Sequence, residues 1–110
     1  MSLTLFGLKN CDTCKKALKA LDTAGSAVQF VDIRAEADLE TLLPGWLEAA
    51  GADVLINRRS TTWRNLSDAE RARDPQALLT DHPTLIKRPV IDAGGTVHVG
   101  WTKPVQGALL

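Results

Sequence analysis

LTLFGLKNCDTCKKALKALDTAGSAVQFVDI, residues 3 to 33, holds two short apolar runs with a helical pattern between them. LTLFG at 3 to 7 and VQFVDI at 28 to 33 are rich in the β-branched and aromatic residues that suit a pleated, half-buried surface, and both read as strands. Between them Cys14, Ala17, Leu18, Leu21 and Ala24 recur at the spacing of one helix face, and Gly25 sits where a left-handed cap would end it. Strand, helix and strand at this size form a βαβ unit, whose two strands run parallel.

Working outward, residues 34 to 83 carry several short helical patterns and no convincing strand. Leu42, Leu43, Trp46, Leu47 and Ala50 give a helical stripe closed by Gly51. Pro44 is expected in the first turn of that helix, because deeper in, its ring and missing N–H would cost roughly 3 kcal/mol. Ser67 and Glu70 have capping-box spacing. Asp74 followed by Pro75 reads as a cap and a favoured first helical residue, for a helix that stops before Pro83. Beyond this insert, Val90 to Asp92 and Val97 to Val99 alternate as two strands joined at Gly94 and Gly95, and the tail has room for one short helix. The expected order is β, α, β, helical insert, β, β, α, a mixed four-stranded α/β sheet.

At 110 residues the chain is the size of one domain, expected to span 1 to 110 with the insert at about 34 to 83. Thirteen basic residues balance 13 acidic ones. Broad adhesion to nucleic acid or to an anionic membrane is therefore disfavoured, and any basic function has to be local. The N-terminus lacks a signal pattern, and no apolar run approaches the length of a spanning helix. A soluble, cytoplasmic protein is expected.

The two cysteines, Cys11 and Cys14, are the only ones in the chain. In a reducing compartment such a pair is catalytic, redox-sensing or metal-binding more often than a permanent staple. At the first turn of a helix, Cys11 would meet unpaired backbone N–H groups and the positive end of the helix dipole, which favour a thiolate. Lys9, Lys15 and Lys16 add positive charge nearby, while Asp12 opposes it. Cys14 begins the apolar stripe, so it should be more buried, and it can attack a mixed disulfide formed on Cys11. A zinc clip would need two further ligands, and His82 and His98 have no ligand-like spacing, so no metal is expected. Two inert core cysteines are the other alternative, since Cys is among the most buried residue types.

Three stretches together carry a family likeness: NCDTCKKA at 10 to 17, RRSTTWRNL at 58 to 66, and LIKRPVI at 85 to 91 with VGW at 99 to 101. They resemble the arsenate reductase (ArsC)-like family of the thioredoxin superfamily, in its YffB/Spx-type branch. The resemblance implies a thioredoxin-like mixed four-stranded sheet with a helical insert between the N-terminal βαβ unit and the C-terminal β-hairpin. By the same resemblance Cys11 matches the active cysteine. Arg88 matches an arginine that holds an oxyanion or thiolate, Pro89 the thioredoxin-like cis-proline, and Arg59 the insert arginine of Spx-like members. Cys11, Cys14 and Arg88 are thus the expected catalytic set, and Lys9, Asn10, Arg59, Arg88 and Pro89 the expected substrate-binding set. A planar guanidinium suits both an oxyanion and a carboxylate. Trp63 and Trp101 are expected to pack, and His98 to point outward.

Two functions follow from the resemblance. One is a thiol-dependent oxidoreductase, glutathione-linked, acting on a disulfide or an arsenate-type oxyanion, with glutathione as co-substrate, no bound cofactor, and glutaredoxin as a further partner. The other is an Spx-like redox-sensing regulator that binds RNA polymerase. TTWR, the NCDT opening and the short tail after Trp101 favour the enzyme, although YffB-type and arsenate-reducing members often lack a cysteine at the position of Cys14. No direct nucleic-acid or membrane partner is expected, and the expected state is monomeric.

Overall fold

The computed structural model describes residues 2–110. In chain order its elements are β1 (Ser2–Gly7), α1 (Asp12–Thr23), β2 (Ala27–Asp32), α2 (Leu39–Ala50), α3 (Ala52–Leu55), α4 (Thr61–Arg64), α5 (Asp68–Arg71), α6 (Pro75–Asp81), a 3₁₀ turn (Pro83–Leu85), β3 (Val90–Ala93), β4 (Thr96–Val99) and α7 (Lys103–Leu109). Two units result. One joins the chain up to Ala37 with Arg88–Leu110, and the other is Asp38–Lys87.

The first unit holds a four-stranded sheet in the order β2-β1-β3-β4. β1 and β2 are parallel, from Ser2 opposite Ala27 to Gly7 opposite Asp32, because α1 carries the chain back between them. β3 lies antiparallel to β1 with Ile91 opposite Leu5, and β4 returns antiparallel to β3 with His98 opposite Ile91. The hairpin turn needs positive φ at both central residues, and Gly94 and Gly95 supply it at 62° and 100°. The mixed sheet with a helical segment between β2 and β3 is the architecture that the thioredoxin-like resemblance implied.

Strand alternation puts Leu3, Leu5 and Ile91 on one face, and α1 closes over them with Cys14, Ala17 and Leu21. None of these six side chains is more than 1% exposed. Burying each leucine stabilises the unit by about 1.5–3 kcal/mol. Leu18, Trp101 and Leu109 pack against the same cluster. α1 ends in a Schellman arrangement: Gly25 has φ 85°, its N–H reaches the Asp22 carbonyl at 3.0 Å, and the Ser26 N–H reaches that of Leu21 at 3.0 Å. That ending corrects the expected stripe at one position, since Ala24 is the exposed C-cap residue rather than part of the buried face. His98 also departs from expectation. Register puts it on the face shared by Leu5 and Ile91, where it is half-buried instead of pointing outward.

The second unit is mostly short helices. α2 starts earlier than the sequence suggested, at Leu39, because Asp38 caps it by accepting the Thr41 N–H at 3.4 Å and the Thr41 hydroxyl at 2.8 Å. Pro44 consequently lies inside the helix, not in its first turn. One backbone bond is lost there, and the burial of Leu39, Leu43 and Trp46 along a single stripe holds the helix through it. Ser67 caps α5 by accepting the Glu70 N–H at 3.1 Å, while the Glu70 carboxylate is held by Arg73 at 3.0 Å. Asp74 caps α6 through the Ala77 N–H, as expected. An isolated bridge between Ile56 and Ile86 joins the residue after α3 to the residue after the 3₁₀ turn, with Asn57 N–H to Leu85 and Lys87 N–H to Leu55 both at 2.8 Å. The guanidinium groups of Arg58 and Arg71 lie 5.4 and 5.3 Å from the centre of the Trp63 ring, and Arg71 also donates to the Trp63 carbonyl. Among the described residues no helix is long and apolar enough to cross a membrane.

Candidate active site

β1 ends at Gly7, and the chain turns through Leu8, Lys9 and Asn10 into α1, with the Cys11 N–H bonded to the Leu8 carbonyl at 3.2 Å. Cys11 has extended backbone angles, φ −92° and ψ 116°, and occupies the N-cap of α1. Its sulfur accepts the Cys14 N–H at 3.5 Å, the bond that a serine or aspartate oxygen makes at an ordinary cap. A thiolate at this point gains directly from the unpaired N–H groups and positive end of the helix.

Partial burial by itself would push the Cys11 thiol up. Hydrogen bonds from the Cys14 thiol and the Cys14 N–H, together with a hydrogen bond and positive charge from Arg88, outweigh burial, so the Cys11 pKa is lowered. Cys14 behaves oppositely. Its burial, the hydrogen bond it gives to Cys11 and the negative charge there push it up to about 12, against weaker pulls from Leu8 and Arg88. Of the two thiols Cys11 therefore loses its proton first, and the thiolate, not the thiol, is the nucleophilic form of a cysteine. Both cysteines are free thiols.

Arg88 is half-buried and immediately precedes the buried Pro89. The Arg88–Pro89 peptide bond is cis, and the Pro89 carbonyl accepts the Gly100 N–H at 2.8 Å. Cys11, Cys14, Arg88 and Pro89 thus all belong to the sheet unit, and Arg88 reaches Cys11. Lys9 and Asn10 are exposed and line an open cleft of about 400 Å³ with Leu8, Asp32, Arg34 and Ala35. Arg59 belongs to the Asp38–Lys87 unit, not to the one that carries Cys11. Its N–H donates to the Asn57 side chain at 3.2 Å, and its carbonyl accepts from Arg64 at 3.2 Å.

Three contributors, Gly7, Asp32 and Arg34, were not singled out from sequence. At Gly7 a Cβ would sit 2.5 Å from the Cys14 sulfur, so the absent side chain is what lets that thiol pack against the end of β1. A glycine closing a strand four residues before CxxC was the available signal. Asp32 and Arg34, at the end of β2, were hidden because only the parallel pairing of β1 with β2 brings them beside Lys9.

The ArsC family model matches residues 6–105 of this chain. An uncharacterised protein of Haemophilus influenzae is 41% identical over 106 residues, covering 92% of each chain. Among solved structures, the YFFB protein is 35% identical with a TM-score of 0.86, covering 98% of each chain. An arsenate reductase (ArsC) related protein from Brucella melitensis is also 35% identical, with a TM-score of 0.78 over 98% of this chain and 93% of that one.

Proposed function

This chain belongs to the ArsC family, and from that premise we propose that it is a thiol-dependent reductase with Cys11 as its nucleophile and glutathione as its co-substrate. The observation that carries the reading is the unequal pair: Cys11 is held toward thiolate at a helix N-terminus beside Arg88, while Cys14 is buried and kept protonated. The solved relative from Brucella melitensis described as arsenate reductase related agrees with it.

On a disulfide, the Cys11 thiolate attacks one sulfur, a new S–S bond forms, and the old one breaks to release the other half as a thiolate. A second thiol, from glutathione or from Cys14, then attacks the mixed disulfide and frees one of its halves. On arsenate, condensation with loss of water gives an arsenic–sulfur ester. Attack of glutathione on the Cys11 sulfur then expels arsenic(III) and leaves a mixed disulfide, so the two sulfurs supply the two electrons. Arg88 compensates negative charge on the attacking sulfur and on an oxyanion next to it, with Lys9, Asn10 and Pro89 as the remaining substrate-binding candidates of the same unit. Glutaredoxin would reduce the mixed disulfide that remains.

Turnover with glutathione, comparing arsenate with hydroxyethyl disulfide, tests this on wild type, Cys11→Ser and Cys14→Ser. Activity on either substrate that vanishes in Cys11→Ser supports it. No turnover on either, with direct binding to purified RNA polymerase that changes on oxidation, contradicts it in favour of a redox-sensing regulator.

A further inference from the structure

Resting on the thiol-exchange reading of Cys11, we propose that the cleft at the carboxyl ends of β1 and β2 binds the charged body of a small peptide-like thiol bearing two carboxylates and one ammonium, with Arg34 as a specificity residue. Crevices outside the carboxyl ends of parallel strands are where open α/β sheets take ligands. The lining here comes from both strand ends, Leu8, Lys9 and Asn10 after β1 and Asp32, Arg34 and Ala35 after β2. Gly7 opposite Asp32 is the last rung of that pairing, and the Ile33 N–H continues it to the Gly7 carbonyl at 2.9 Å. Asn10 directly precedes Cys11, so a molecule in the cleft lies one residue along the chain from the thiolate.

The cleft is also built to hold its shape. One carboxylate oxygen of Asp32 accepts the Arg34 N–H at 2.8 Å and the Ala35 N–H at 2.9 Å, which fixes the turn that carries Arg34. Glu36 secures the same turn from outside the lining by accepting the Asp32 N–H at 3.2 Å. At about 400 Å³ the space is within the range of small-molecule sites. Its charged side chains are two cations, Lys9 and Arg34, and one carboxylate, Asp32. That set is the complement of a ligand with two carboxylates and one ammonium, and it gives no advantage to an uncharged disulfide.

The test is the rate at which Cys11 reacts with glutathione disulfide, with its carboxylate-esterified form and with uncharged hydroxyethyl disulfide. Wild type should prefer glutathione disulfide over both. Arg34→Gln and Lys9→Gln should each shrink that preference by about fivefold, the scale of one partly exposed ion pair. Lys19→Gln, the same loss of charge on the exposed face of α1, should leave the preference alone. Equal slowing toward all three disulfides, or no preference in wild type, overturns the cleft assignment while leaving the nucleophile in place. S-methylglutathione, which cannot exchange, reads occupancy separately: it should shift the backbone amides of Lys9, Asn10, Arg34 and Ala35 at millimolar concentration. Shifts elsewhere, or none, overturn the proposal. Shifts there with no reaction at Cys11 support the cleft and contradict the reductase reading instead.

Discussion

The Cys14 sulfur fills the space that Gly7 leaves at the end of β1: a Cβ on Gly7 would lie 2.5 Å from Sγ and 3.3 Å from the Cβ of Cys14. The less reactive cysteine is thus fitted to the sheet backbone itself, and its position fixes the N–H and S–H that it directs at Cys11.

Gly7→Ala should therefore cost about 1–3 kcal/mol, the usual penalty for overfilling a packed core. Urea denaturation of Gly7→Ala, Cys14→Ala and the double variant measures it. With the sulfur gone, the added methyl group should cost less in the double variant than alone. Simple additivity of the two changes would show that the methyl does not meet Cys14.

The lowered pKa of Cys11 predicts that its alkylation by iodoacetamide reaches half its plateau below 9.0, the ordinary thiol value, while Cys14 stays unmodified until the pH nears about 12. Mass spectrometry of the modified peptides separates the two. A depressed folded pKa makes ionised Cys11 stabilising, fully above the ordinary thiol value and progressively less as pH falls through the lowered one. Cys14, raised, contributes fully below 9.0 and loses that contribution as pH climbs toward about 12. A Cys11 profile centred at or above 9.0 would contradict the assignment of charge.

Arg88→Gln should raise the Cys11 pKa and lower kcat/KM by about tenfold, the loss of one charge-assisted hydrogen bond. Arg88→Lys keeps the charge but not the planar donors, so it should restore part of the alkylation profile and less of the activity. Unchanged alkylation in Arg88→Gln would remove Arg88 from the site.

In the second unit, Arg71→Ala should cost about 1–2 kcal/mol, because it removes side-chain bonds to the Trp63 and Arg64 carbonyls as well as the contact with the Trp63 ring. Arg58→Ala should cost less. Its ion pair with Asp53 at 3.1 Å is largely exposed and contributes at most about 1 kcal/mol. Equal losses in urea denaturation would count against this ranking.

What was legible in the sequence was local. Gly25, Ser67, Asp74 and the Gly94–Gly95 turn each need a backbone conformation or a cap that their own residue types supply. Pro44 was misread because its missing N–H argued for a first turn, whereas Asp38 and the buried Leu39 set the start of α2 further back. His98 was misread because alternation gives two faces without saying which faces the core, and the pairing with Ile91 decides it. Arg34 depends on the pairing of β1 with β2, which no local pattern encodes, whereas Gly7 carried a local signal in its place at the end of a strand just before CxxC. The cis bond at Pro89 came from family resemblance, not from anything in the residues themselves.

The central claim is that Cys11, not Cys14, makes the first bond to substrate sulfur. Brief reaction with glutathione disulfide, acid quenching and peptide mass spectrometry test it on wild type, Cys11→Ser and Cys14→Ser. The account predicts a glutathione adduct on Cys11 that accumulates most in Cys14→Ser and is absent from Cys11→Ser. An adduct on Cys14 in the Cys11→Ser protein, formed as fast as the wild-type adduct, would contradict it.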